Sequence, residues 1–354
     1  MRKRLSRVAL LLCATTTAAA CTGGTPESTP SGSAQTSAHS ETSAAMKAIP
    51  EKLRPTAEAF ARYRKIDACG LHDPDAAAAA SGDGSKGDRI MPEKDGFNHC
   101  TLRLAKSEFS TTWTIYLTVA DEFDASRRRQ AAPEQVAGMD ILFQEEGQPL
   151  PACTVVRPLD ETYAIVLDVK PDDRSNPVRP PCDFARDYLT RMAETWKNPP
   201  QRGSGRTAPE LPLALRDPCD AVAAITDDMG QGAQITPREP YKCTIQPGAP
   251  KHKGTKTGVA ETTVVLGADQ TPEDLAKTLP DKYKTSQISG FTVVSGVLAG
   301  TCRNYAIWDA ATTIIDDNRD DDPVPYVQVV RIDTPDCDSG RTLVEKILTK
   351  VGKP

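Results

Sequence analysis

Two matched sets of four cysteines constrain this chain more than any other feature. Ten cysteines occur in 354 residues; Cys13 and Cys21 lie in or just after an N-terminal apolar stretch, and eight remain. Cys69, Cys100, Cys153 and Cys182 are spaced 31, 53 and 29, while Cys219, Cys243, Cys302 and Cys337 are spaced 24, 59 and 35. Their surroundings repeat as well. Asp67-Ala68-Cys69 parallels Asp217-Pro218-Cys219, and Cys100-Thr101-Leu102 parallels Cys243-Thr244-Ile245. Val136-Ala137-Gly138-Met139 echoes Ile288-Ser289-Gly290-Phe291, and the run from Cys182 to Arg186 echoes that from Cys337 to Arg341. Self-similarity at a fixed period implies a repeated structural unit, here two copies of about 150 residues each.

The first residues decide the compartment in which those thiols sit. Arg2 to Arg7 form a basic region, Val8 to Leu12 an apolar one, and Ala18-Ala19-Ala20 a small-residue cleavage site ending at Cys21, which is the pattern of a secretory signal peptide. The apolar run is shorter than the roughly 20 residues a spanning helix needs. With a Cys directly after the small residues, the segment resembles the lipobox of bacterial lipoproteins, although Ala18 stands where that motif usually has a branched residue. The resemblance implies acylation of Cys21, which would become the first residue of the mature chain; the alternative is plain secretion with a free N-terminal thiol. Thr22 to Ala45 carries no aromatic or branched aliphatic residue to bury and is expected to be a disordered tether, holding the first folded residue about 25 to 30 Å from the acyl chains.

Secreted cysteines in even number imply disulfides. Two equivalent sets leave three pairings per copy, and the sequential one is expected: Cys69–Cys100, Cys153–Cys182, Cys219–Cys243 and Cys302–Cys337. Zinc is the competing use of four thiols, but no close Cys pair and no suitably spaced His is present. The resulting layout is a signal peptide over 1–20, a lipidated Cys and tether over 21–45, a first domain over 46–199, a linker over 200–210 marked by Gly203, Ser204, Gly205 and Pro209, and a second domain over 211–354.

Hydrophobic periodicity points to an α+β fold in each copy, an antiparallel sheet with one face covered by helices. From Thr112 to Val119, Trp113, Ile115, Leu117 and Val119 share one face; Tyr163–Val169, Val324–Ile332 and the stretch after Cys302 with Tyr305 and Ile307 alternate likewise. After the fourth cysteine of each set an amphipathic helix is expected, with Phe184, Tyr188, Met192 and Trp196 in one copy and Leu343, Val344, Ile347, Leu348 and Val351 in the other. A further helix is expected from Thr271, with a counterpart over Asp121–Gln135.

Taken together, the signal, the Cys at the cleavage site, the tether, the Asp-Pro-Cys opening of the second copy and the Cys-Asp start of each last helix are similar to a group of actinobacterial secreted lipoproteins. The cysteine order is also similar to the extracellular sensor domain of mycobacterial serine/threonine kinases. This resemblance implies an α+β architecture and an extracytoplasmic location, and brings no catalytic residue with it. No kinase domain or second hydrophobic segment accompanies it here.

Candidate chemistry is sparse. Asp316, Asn318 and Asp320 offer oxygens at alternate positions like a calcium loop, but Asp321 and Val327 occupy the places of its Gly and Glu, so a solvated hairpin tip is the expectation. His72 and His99 flank the Cys69–Cys100 pair, His252 stands alone in the second copy, and no Ser/His/Asp arrangement repeats. Arg127-Arg128-Arg129 reads as solvated helix surface. Lys and Arg total 43 against 48 Asp and Glu; loss of the four basic residues of the signal segment leaves 39 against 48, a net of −9. That excess disfavours nucleic acid as a partner and charge-held attachment to anionic lipid. The functional expectation is a membrane-anchored, non-enzymatic lipoprotein without cofactor, attached through acylated Cys21 and binding a small ligand or an envelope protein in a sensor or accessory role. The alternative is a cell-envelope enzyme whose site leaves no local motif.

Overall fold

The structure, a computed structural model, describes residues 44–92, 96–107, 110–146, 151–172, 179–204, 210–249, 261–271, 274, 276–277, 283–316 and 324–354. The echo around Gly138 and Gly290 is a pair of tight hairpins: Ala137 and Gly138 have φ of 49° and 80°, Ser289 and Gly290 of 51° and 77°. Positive φ at both central residues marks the primed turn that suits the twist of its flanking strands. Such hairpins build two seven-stranded antiparallel sheets.

The first sheet comprises β1 (Lys86–Pro92), β2 (His99–Ala105), β3 (Thr111–Glu122), β4 (Ala132–Val136), β5 (Met139–Glu146), β6 (Ala152–Pro158) and β7 (Tyr163–Pro171), in the order β1-β2-β3-β7-β6-β5-β4. The second comprises β8 (Gln234–Glu239), β9 (Lys242–Gln246), β10 (Thr262–Gln270), β11 (Tyr283–Ile288), β12 (Phe291–Leu298), β13 (Thr301–Asp316) and β14 (Val324–Thr334), in the corresponding order β8-β9-β10-β14-β13-β12-β11. The chain is thus two tandem copies of one α+β fold. In the first, Trp113, Ile115, Leu117 and Val119 of β3 point into the core as their alternation requires.

The helices are α1 (Ala44–Ala48), α2 (Arg54–Tyr63), α3 (Pro74–Ser81), α4 (Ala125–Gln130), α5 (Pro181–Arg191), α6 (Ala193–Lys197), α7 (Pro218–Ala223) and α8 (Cys337–Val351). Disulfides join Cys69–Cys100, Cys153–Cys182, Cys219–Cys243 and Cys302–Cys337. In each copy one bridge ties a short opening helical turn to the second strand, and the other ties the sixth strand to the last helix. Each closed loop stabilises its copy by about 3 to 4 kcal/mol in the chain-entropy treatment.

Several local expectations change. The last helix of the first copy breaks at Met192 (φ −93°, ψ 5°) into α5 and α6, whereas α8 runs unbroken. Of Asp121–Gln135 only Ala125–Gln130 is helical, because Asp121 extends β3 and Asp124 caps α4 by accepting from the amides of Ser126 and Arg127 at 2.8 and 2.9 Å. The helix expected from Thr271 lies largely outside the described residues, though Asp274, Ala276 and Lys277 are helical and Thr271 Oγ1 accepts from the Asp274 amide. In β13 the core-facing residues are Ala306 and Trp308 rather than Tyr305 and Ile307. The outer face of the first sheet is not uniformly wet either: Phe123, Ala131, Val156, Ala164 and Val166 form a small second core there.

Residues Thr42–Pro354 form one compact unit. Ala45, Ile49 and Phe97, which precede the seam, pack into the core of the second copy. The seam is also hydrogen-bonded. The Asp67 amide donates to the Pro200 carbonyl and the Arg202 amide to the Lys65 carbonyl, each at 2.8 Å. Arg64 donates to the Pro240 carbonyl at 2.9 Å and pairs with Asp217, while Arg202 Nε donates to the Tyr241 hydroxyl at 3.1 Å. Side-chain exposures of 8% for Arg202 and 7% for Asp67 make this a desolvated polar hub, in which every broken bond leaves a costly unpaired group.

Candidate functional site

A cleft of about 310 Å³ opens on the outer face of the first sheet, between α4 and strands β4, β5 and β6. Its walls follow from strand register. Pro133 pairs with Leu142 and Gln135 with Asp140 across the β4–β5 hairpin, so these side chains share one face, and Pro158 at the end of β6 closes the third side. The fourth wall is Arg128. Its guanidinium donates from Nε to the Phe123 carbonyl at 3.2 Å and from Nη2 to the Asp160 carbonyl at 2.6 Å, and lies over the Phe123 ring.

Behind Pro158 the turn is tightly held. Asp160 Oδ1 accepts from the amides of Thr162 and Tyr163 at 2.7 and 2.8 Å, while Oδ2 accepts from the Tyr63 hydroxyl of α2. Burial, followed by the hydrogen bond to Asp160, pushes the Tyr63 hydroxyl up to about 12. Burial opposes ionisation of Asp160, but the bonds from Tyr63, Tyr163 and Thr162 outweigh it and hold the carboxyl below its ordinary value. Tyr163 packs on Phe60 and Tyr63 at ring distances of 5.1 and 6.0 Å. The cleft therefore rests on a rigid floor.

Its lining combines the apolar Pro133, Leu142 and Pro158 with Gln135, which donates to Asp140, whereas Glu134 alternates to the other face of β4 and pairs with Arg186 of α5 at 2.9 Å. The lining offers donors and acceptors in fixed places and no hydroxyl, thiol or imidazole beside a base. Polar groups fixed in this way can orient a ligand. A second cleft, of about 400 Å³, lies between α1 and α7 and is lined mainly by Ala and Gly, with Lys47 and Asp227 at its rim.

The residues singled out from sequence fall elsewhere. His72 and His99 are not brought together. His72 is buried, its ring nitrogens 3.3 Å from the Tyr188 hydroxyl and the Cys100 carbonyl, whereas His99 meets Thr118 on the opposite face of β2. Desolvation lowers the His72 imidazole to about 4. Of the calcium-loop candidates, Asp316 ends β13, while Asn318 and Asp320 lie outside the described residues, as do Cys21 and His252. No group of three metal-ligating side chains occurs among the described residues. Within Arg127-Arg128-Arg129, Arg127 pairs with Asp121 at 2.7 Å and Arg128 turns into the cleft instead of into solvent. Gln135, Asp140, Asp160 and Tyr63 carried no sequence signal of a site, because they converge only through strand register and a helix distant in the chain.

No helix among the described residues is long and apolar enough to cross a membrane. Comparison with family models, with curated proteins and with solved structures gives no match.

Proposed function

We propose that the protein is a membrane-anchored, extracytoplasmic lipoprotein that binds a ligand or protein partner in the cell envelope and performs no chemistry of its own. One combination of features carries this reading: a body stapled by four disulfides stands behind a signal segment that ends at Cys21. Disulfides persist in oxidising compartments outside the cytoplasm, and the extracellular placement they indicate is what an acylated N-terminal Cys requires. The similarity to actinobacterial secreted lipoproteins and to a kinase sensor domain points the same way. The cleft beside Arg128 is the ligand site in this reading, since Arg128, Gln135 and Asp140 are held in place by other protein groups.

Cys21→Ala decides the anchor. The substituted protein is expected to move from the membrane fraction to the medium, because the two or more acyl chains of a lipoprotein hold stably where one binds only marginally. Unchanged membrane retention overturns the anchor, and turnover of cell-wall substrates by the purified mature chain overturns the non-enzymatic reading.

A further inference from the structure

The two sheets end in four edge strands, β1, β4, β8 and β11. Natural proteins blunt such edges, because a row of unpaired backbone groups templates pairing with another chain. Three are blunted here. In β4 the residues flanking the two-residue turn form a hydrogen-bonded pair, so alternation directs the backbone of Pro133 and Gln135 outward; Pro133 has no N–H to offer. β8 carries Pro237 and an irregularity between Pro237 and Glu239. β1 is bulged between Gly87 and Arg89, with Gly87 pressed so closely under α3 that a Cβ there would lie 2.2 Å from Pro74 Cβ.

β11 carries neither a proline nor a bulge, and its one charged residue is Lys284. It pairs with β12 in unbroken register from Tyr283↔Gly296 to Ile288↔Phe291. The same turn logic directs the amides of Tyr283, Thr285 and Gln287 away from β12. Lys284, Thr285 and Gln287 are exposed. From elsewhere among the described residues, the Arg341 guanidinium lies 3.4 Å from the Gln287 carbonyl and the Tyr305 ring of β13 lies 6.4 Å from that of Tyr283. Lys284 in the strand, Arg341 beside it and Lys353 over the Phe291 ring at the turn make the edge locally basic, although the mature chain carries a net of −9. A second copy would bring Lys284 and its basic neighbours against their own images.

We propose that β11 is the docking edge for an extended, carboxylate-bearing segment of another envelope protein, which adds to the second sheet as an eighth strand. Backbone bonds to Tyr283, Thr285 and Gln287 supply the binding, as in other strand additions, and the basic rim selects the sign of the partner. This deepens the binding reading above by naming a partner class, and it concerns a surface separate from the cleft.

The test uses the full mature chain with Cys21→Ala and two short synthetic peptides of alternating Thr and Val, one bearing Glu and the other Lys at the same places. Amide hydrogen exchange followed by NMR is expected to slow at least about tenfold at Thr285 and Gln287 with the Glu peptide, to stay unchanged at Gln135 of the blunted β4 edge, and to change little with the Lys peptide. Thr285→Pro removes an outward donor at a place where an edge strand tolerates proline, and should abolish the effect while the four disulfides still form. Absence of slowing with the Glu peptide, or equal slowing with both, overturns the proposal. Slowing that grows with protein concentration and needs no peptide assigns the edge to a second copy and overturns it equally. Neither result touches the anchor, which is read by fractionation.

Discussion

Counted from the last cysteine of each set, the two terminal helices bury the same positions with different side chains. Tyr188, Leu189, Met192, Ala193 and Trp196 in the first copy stand where Leu343, Val344, Ile347, Leu348 and Val351 stand in the second, and all ten are buried. A similar exchange occurs three residues after the opening cysteine, where His72 corresponds to Val222. The second copy thus has an aliphatic contact where the first has an imidazole facing a phenol. One strand order and one disulfide layout accept either solution, because sheet and bridges fix the volume to be filled while leaving its polarity open. The aromatic copy is the more specialised: its helix breaks at Met192, and Arg157 of β6 donates to the carbonyls of Trp196 and Lys197 at its end.

The largest difference between the copies is expected at this helix end. Trp196→Ala removes a fully buried indole and should cost roughly 3 to 5 kcal/mol by urea denaturation, against a smaller loss for Val351→Ala. Equal costs would show that the two helices carry equal loads.

Acid should separate the copies next. Neutral His72 is favoured in the fold, at about 4 against an ordinary 6.5. Above pH 6.5 neither the folded nor the unfolded chain protonates it and the full stability is present. As pH falls from 6.5 to 4 the unfolded chain takes up a proton that the fold refuses, and about 3 kcal/mol is lost; below pH 4 this residue costs nothing further. The double substitution His72→Val with Tyr188→Leu, which installs the second copy's pair in the first, should flatten that slope between pH 7 and 4.5. An undiminished slope in the double variant would assign the acid sensitivity to other groups.

The smallest effect bears on whether the copies melt together. Arg202→Ala removes the donor to the Tyr241 hydroxyl and to the Phe97 carbonyl and leaves Asp67 buried. A loss of about 2 kcal/mol is expected, with one calorimetric transition splitting into two. A single transition in the variant would mean that the apolar contribution of Ala45, Ile49 and Phe97 to the second core couples the copies without the hub.

Strand and helix positions were legible in the amino-acid order wherever a single face is apolar, as in β3 and the terminal helices, because side-chain period is a local property of the backbone. Legibility failed where a residue serves two surfaces. Tyr163–Val169 alternates, yet β7 buries Val166 and Ala164 on the face opposite Ile165 and Leu167, since Phe123 folds back over the sheet from the end of β3. The candidate cleft was equally hidden. Its walls come from α4, β4, β5 and β6, and no spacing along the chain records that these meet.

By itself the sequence determined the two cysteine sets, the echoed Val136–Met139 and Ile288–Phe291 segments and the apolar stripe of each terminal helix, all of which follow from covalent order and short-range geometry. Only the tertiary structure decided that β3 lies beside β7 and β10 beside β14, that His72 sits inside while His99 stays on the outer face, and that Ala45, Ile49 and Phe97 belong to the second core. Those outcomes depend on which distant surfaces exclude water together, and burial is a property of the assembled surfaces that no local pattern encodes.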